Sequence, residues 1–206
     1  MPNKEPFWED SYKRPGKMDT FGGGKPNEMV VRIAKALKPG AKVLDLGCGE
    51  GRNAIYLAQS GFNVTAFDIS VAGIGKLLTV AREKLLKINA FVADMREYEY
   101  TQPFEMIVCV GCLHLIKREE WHPVIKKMKE NTVRSGWNLV GVLTDTVPEP
   151  EDLRGWMTGL FKEGELAEQY HDWDIIERRE YTFHDRHPNG FAHDHAANEV
   201  IAKKPG

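Results

Sequence analysis

Cysteine is scarce and odd in number, with three in 206 residues. Three cannot build a disulfide framework, so a reducing, cytoplasmic setting is expected. Long apolar runs are also missing. The longest, Met106 to Ile116, is broken by Gly111 and His114 and is too short to cross a bilayer. Met1–Glu5 lacks the apolar centre of a signal peptide. Neither sign of charge dominates: 28 Lys and Arg against 30 Asp and Glu give a formal net charge of -2. A general nucleic-acid binder would carry a basic field, so none is expected. Repeats and low-complexity tracts are absent, which argues against arrays and linkers. What remains is a chain of a length that suits one domain with a sizeable core.

Its most informative stretch is Val43-Leu44-Asp45-Leu46-Gly47-Cys48-Gly49-Glu50-Gly51. An apolar run with an acid two residues before three alternating glycines predicts a buried strand breaking into a tight turn. Glycine tolerates positive φ and lets a ligand reach backbone where a Cβ would collide. The helix predicted to follow, Arg52 to Gln59, aims its N-terminal N–H groups at that turn and favours an anionic group there. A dinucleotide fingerprint requires Gly-x-Gly-x-x-Gly; Gly47-x-Gly49-x-Gly51 is one residue short, which sets a nicotinamide dehydrogenase behind. The variant resembles motif I of the class I S-adenosylmethionine-dependent methyltransferases. In that class the acid lies near the methionine ammonium, and the glycines admit the ribose and amino-acid arm.

Residues 1–27 are polar, aromatic and glycine-rich, and predict an arm or lid lying on the rest. Asn27 is placed to cap a helix carrying Val30, Ile33, Ala34 and Leu37, which ends at Pro39-Gly40. Strands are predicted at Lys42 to Leu46, Asn63 to Asp68, Asn89 to Ala93, Met106 to Cys112 and Asn138 to Thr144. Helices are predicted at Val71 to Lys87 and Glu119 to Asn131. This alternation implies an α/β fold with a doubly wound, mostly parallel sheet. A short helix at Lys162 to Tyr170 precedes strands Asp174 to Phe183 and Glu199 to Lys203, with no long helix between them. They predict an antiparallel hairpin closing the sheet, as in the seven-stranded Rossmann-like methyltransferase fold with its antiparallel last strand. The expected plan is one domain: arm 1–27, cofactor-binding core 28–145, and substrate-side loop and hairpin 146–206.

Ligands of open parallel sheets bind outside the carboxyl ends of the strands. Strand two ends at Asp68, suited to ribose hydroxyls or to capping the next helix, with Ile69 beside it. Strand three ends at Asp94-Met95, where an acid and an apolar side chain fit an adenine amine and ring; a plain exposed Asp is the alternative. Strand four ends near Val110, whose backbone would border the reacting sulfonium. Arg52 is either a partner for the methionine carboxylate or a solvated surface residue. His114 is either substrate-facing or a satisfied structural histidine. Cys109-x-x-Cys112 is formally a Cys-x-x-Cys pair, and its place inside an apolar strand rather than at a helix start makes a redox role the minor reading.

Leu44–Asn53 with Tyr56-Leu57-Ala58, and Phe161–Leu166 with Tyr170-His171-Asp172-Trp173, resemble the tellurite-resistance methyltransferase family. Asp10-Ser11-Tyr12 resembles its N-terminal segment. The resemblance implies S-adenosylmethionine as cofactor and a small soft nucleophile, such as a tellurite- or selenite-like oxyanion, as methyl acceptor. It also implies that Tyr12 closes over the cofactor and Arg52 holds its carboxylate. The cofactor-binding set is thus Tyr12, Asp45, Gly47, Cys48, Gly49, Gly51, Arg52, Asp68, Ile69, Asp94, Met95 and Val110. The departure is C-terminal. Where the family has a His-Arg pair and a further Arg for an anionic substrate, this chain has His184-Asp185, with Arg186 as a local substitute, and then Gly190–His195.

His184 is the candidate substrate-facing residue. His184, His187, His193 and His195 fall within twelve residues. His193-x-His195 in a strand shares one face, and His184 meeting them across a hairpin would suit a divalent metal. Substrate contact and a solvated hairpin tip are the other readings. Methyl transfer to another small metabolite, or a non-catalytic S-adenosylmethionine or metal sensor, are the rival functions. Oligomeric state is not legible.

Overall fold

Lys-Val-Leu-Asp-Leu at 42–46 is exposed only at its first residue, the pattern of a strand covered on both faces. In the computed structural model, which describes residues 7–15, 18–150, 153–186 and 192–206, this strand is β1 (Lys42–Leu46). The other strands are β2 (Asn63–Asp68), β3 (Ile88–Val92), β4 (Phe104–Val110), β5 (Thr132–Leu143), β6 (Asp174–Arg186) and β7 (Ala192–Lys203). They form one seven-stranded sheet of order β3-β2-β1-β4-β5-β7-β6. The helices are α1 (Phe7–Lys13), α2 (Glu28–Ala34), α3 (Arg52–Gln59), α4 (Val71–Glu83), α5 (Arg118–Glu130) and α6 (Glu165–Glu168). Two compact units, residues 1–97 and 98–206, divide the chain.

In the first unit β1 pairs parallel with β2, setting Asp45 opposite Ala66, and β2 pairs parallel with β3. Phe67 and Phe91 stack across that second pair, 5.9 Å between centroids. Asn27 caps α2 by accepting the Met29 N–H at 2.8 Å, as its position predicts. Helix α2 stops at Ala34, short of Pro39, because a run of turns begins at Lys35. Ser70 caps α4 by accepting the Gly73 N–H. Residues 7–13, read from sequence only as polar arm, form α1.

In the second unit β4 and β5 are parallel, β5 and β7 antiparallel, and β6 and β7 antiparallel. Helix α5 buries Trp121, Val124, Ile125 and Met128, and Trp121 stacks flat on Phe161 at 3.5 Å. A polar file crosses this apolar core. Asn138 donates to the Tyr170 hydroxyl at 3.1 Å, and the single Thr132 hydroxyl hydrogen is shared between Asn138 Oδ1 at 2.7 Å and the Met128 carbonyl at 2.8 Å. Each member is satisfied, so burial here is tolerated. Boundaries differ from expectation: β5 begins at Thr132 rather than Asn138, β6 runs on to Arg186 rather than Phe183, and α6 is confined to Glu165–Glu168. β4 ends at Val110 rather than Cys112, because Gly111 takes φ +83 and turns the chain. β7 begins at Ala192 rather than Glu199, because pairing with β6 carries the hairpin outward past the apolar stretch.

Candidate functional site

The glycine turn is built by backbone geometry. Gly47, Gly49 and Gly51 all have positive φ, at 67, 55 and 91 degrees. The Cys48 N–H bonds the Phe67 carbonyl at 3.0 Å, and the Gly51 N–H bonds the Cys48 carbonyl at 2.9 Å. A Cβ on Gly49 would lie 2.5 Å from the Tyr12 hydroxyl, and one on Gly51 would run into Leu77. Cys48 is buried, which raises its thiol pKa, and its Sγ contacts the Gly49 carbonyl.

Asp45 is 1% exposed. Its Oδ2 is buried without a hydrogen-bond partner. Burial pushes its pKa up to about 7, with the Arg52 charge and the Ala54 N–H pulling the other way. A carboxyl in that condition is about half protonated near neutral pH and has one oxygen unused. Asp68 differs. Its Oδ2 accepts the Gly49 N–H at 2.7 Å and its Oδ1 the Ser70 N–H at 2.8 Å. It therefore ties the glycine turn to the start of α4, and burial still raises its pKa.

Tyr12 is buried, and burial with the Asp68 and Glu50 charges raises its pKa, so it stays a phenol. Arg52 donates to the Lys25 carbonyl at 2.9 Å. Ile69 is 55% exposed, a bare aliphatic surface beside Asp68. Asp94 is held by its neighbour Arg96, which donates to it from backbone and guanidinium and lowers its pKa; Met95 beside it is half-buried.

Two acids missed from sequence fasten the arm. Glu9 accepts the Ser70 hydroxyl and the Ala72 N–H. Glu50 accepts the Thr20 N–H at 2.7 Å and pairs with Lys76 at 2.8 Å, both side chains nearly closed to solvent. The only sequence signal was Glu50's place between two glycines.

In the second unit Val110 is the half-buried last residue of β4. His114 is buried and accepts the Leu143 N–H at Nδ1, 3.2 Å, which leaves its proton on Nε2. Burial and the nearby His195 lower its pKa to about 3, so it is neutral. The hairpin register pairs Phe183 with His195, His184 with Asp194 and Asp185 with His193. Alternate residues of a strand face opposite sides. His193 and His195 therefore share a face, rings edge-on at 4.6 Å, while His184 lies on the other, exposed and bonded to Asp194 at 2.9 Å. This corrects the expected metal set of His184, His193 and His195: the register keeps His184 away from the other two. Among the described residues no group of three or more His, Cys, Asp or Glu is placed to hold a metal ion. His187, Gly190 and Phe191 lie outside the described residues. No helix among the described residues is long and apolar enough to cross a membrane.

A mostly parallel sheet of this order, reversed at its last hairpin and carrying an acid-led glycine turn after β1, defines the Rossmann-like class of S-adenosylmethionine-dependent methyltransferases. The family model for the tellurite resistance protein TehB matches residues 18–191. The chain belongs to that family. A probable S-adenosyl-L-methionine-dependent methyltransferase TehB of Haemophilus influenzae is 36% identical over 153 residues, 73% of this chain and 52% of its own. The crystal structure of TehB from Haemophilus influenzae superposes with TM-score 0.79 at 30% identity, covering 96% of this chain and 67% of that one. The fold extends to magnesium protoporphyrin IX methyltransferase of Synechocystis PCC 6803 with bound SAH, at TM-score 0.65 and 19% identity, over 85% of this chain and 80% of that one. The chain spans about half the length of the curated relatives it matches.

Proposed function

We propose that this chain transfers a methyl group from S-adenosylmethionine to a small soft nucleophile, a tellurite- or selenite-like oxyanion or a thiol. The observation that carries the cofactor assignment is the unpartnered, buried Asp45 Oδ2 beside the glycine turn. An ammonium group donates several hydrogen bonds and a positive charge, which supplies what that oxygen lacks. The positive-φ glycines keep the turn bare of side chains, and at 49 and 51 a Cβ is excluded by Tyr12 and Leu77.

When bound, the cofactor supplies a methyl group already activated on a sulfonium. The residues then have to bind, orient and exclude water. Asp45 would hold the ammonium, ionising as it does so. Asp68 already spends one lone pair per oxygen on the turn and retains capacity for ribose hydroxyls. Ile69, Asp94 and Met95 would border the adenine, and Val110 the reacting end. Arg52 would hold the carboxylate if it left the Lys25 carbonyl. Tyr12, protonated and packed against Gly49, would cover the arm of the cofactor.

For the acceptor, membership of the TehB family supports a chalcogen nucleophile. The replacement of the family's cations by Asp185 and by His193 and His195 supports a thiol or selenol over a dianionic oxyanion. His184 remains the candidate contact, with His193 and His195 on the opposite face as the alternative. Methyl transfer to another small metabolite is the second reading, supported by the same departure. The test is a methylation assay with selenite, tellurite, small thiols and small amines. Turnover with a chalcogen acceptor is expected. Turnover with amines alone would replace the acceptor class, and cofactor binding without turnover on any of them would favour a sensor.

A further inference from the structure

Cys109 and Cys112 were read from sequence as residues of one strand, an arrangement that sends positions three apart to opposite faces. The structure does otherwise. β4 ends at Val110, and Gly111 takes φ +83 with its N–H on the Gly141 carbonyl at 2.9 Å. That turn folds Cys112 back until the two sulfurs are 3.4 Å apart. Neither is in a disulfide, and they are 0% and 6% exposed. Sulfurs at that distance stand about 1.4 Å beyond a bond of about 2.05 Å. Of the two intervening residues, Gly111 borders open space: nothing lies within 4 Å of the position its Cβ would take.

We propose that Cys109 and Cys112 form an oxidisable dithiol that closes to an intramolecular disulfide with a small two-electron oxidant such as hydrogen peroxide. Buried thiols are ordinarily inert toward bulky reagents, so the oxidant must be small. Here the second thiol already waits in contact with the first. Cys112, the more open, would react first. Its thiolate attacks one peroxide oxygen, an S–O bond forms, the O–O bond breaks, and the departing hydroxide takes up the thiol's proton as water. The Cys109 sulfur then attacks the sulfenic sulfur, the S–S bond forms, and the hydroxyl leaves with the Cys109 proton as a second water. Two electrons pass from the sulfurs to the peroxide, and two thiols become one disulfide. This proposal concerns the second unit alone and does not depend on the methyl acceptor.

The chain's three cysteines make the test a count. The intact native protein is treated with stoichiometric peroxide, denatured, and its thiols titrated before and after dithiothreitol. The expected result is a fall from three thiols to one, reversed by the reductant. Both cysteines lie in the single tryptic peptide 97–117, which should lose the mass of two hydrogens and gain no oxygen. Cys48→Ser should retain this loss, and Cys109→Ser and Cys112→Ser should each abolish it. Three thiols surviving, oxygen-added forms of peptide 97–117 in place of the two-hydrogen loss, or a cross-link that involves Cys48 would each overturn the proposal. The wild-type peptide mass decides the matter even if a serine variant fails to fold.

Discussion

Replacing Asp45 by Asn isolates the buried carboxyl on which the cofactor assignment rests. In the folded chain, burial raises the Asp45 pKa from 3.8 to about 7. Between those values the folded protein keeps a proton that the unfolded chain has released. The contribution of this group to stability is therefore fully present below about pH 3.8 and is lost as pH rises to about 7. A rise of that size corresponds to on the order of 4 kcal/mol at about 1.4 kcal/mol per pKa unit. Asn has no proton to lose. Whatever constant offset the amide introduces, Asp45→Asn should gain stability relative to wild type as pH rises through this window. Urea denaturation of both proteins at several pH values reads the difference, and subtraction removes the titrations they share. A flat difference would refute the idea that Asp45 is held protonated in the unliganded fold.

Gly51→Ala forces a left-handed backbone on alanine and drives its Cβ into Leu77, so a loss of about 2–4 kcal/mol in urea denaturation is expected; an unchanged midpoint would contradict the packing described. Glu50→Gln breaks the nearly buried pair with Lys76 while leaving an acceptor for the Thr20 N–H. Limited chymotrypsin digestion should then cut after Phe21 sooner than in wild type, with the core from Glu28 onward resistant, and equal cutting rates would deny Glu50 its part in fastening the arm. Asp68→Asn leaves one acceptor oxygen for two backbone donors, and should weaken S-adenosylhomocysteine binding by about 1–3 kcal/mol. Undiminished affinity would reduce Asp68 to a turn cap.

The first unit was legible because its signals are local. The apolar 42–46 run, the glycines after it and the strand at 63–68 depend on period and on φ, both written in adjacent residues. The candidate roles of Asp45 and Asp68 followed from strand ends. Glu9 and Glu50 were not legible, because each acts on a backbone group far away in sequence: Glu9 on Ala72 and Glu50 on Thr20. The hairpin misled for a similar reason. Spacing alone allowed His184 to face His193 and His195, and only the register across β6 and β7 decides which residues share a face. The Cys109–Cys112 contact was hidden by one glycine, whose positive φ ended a strand that composition alone would have continued.

The most direct test of the central claim is calorimetric titration of S-adenosylhomocysteine, which keeps the amino-acid arm, into wild type and Asp45→Asn at about pH 5 and about pH 7, where that arm's ammonium is still largely charged. One-to-one binding is expected in wild type, tighter at the higher pH because the Asp45 carboxyl gives up its proton to meet the ammonium. In Asp45→Asn, binding should be weaker and that gain with pH should disappear. No binding to wild type, or the same pH dependence in both proteins, would contradict the placement of the cofactor on Asp45 and the glycine turn.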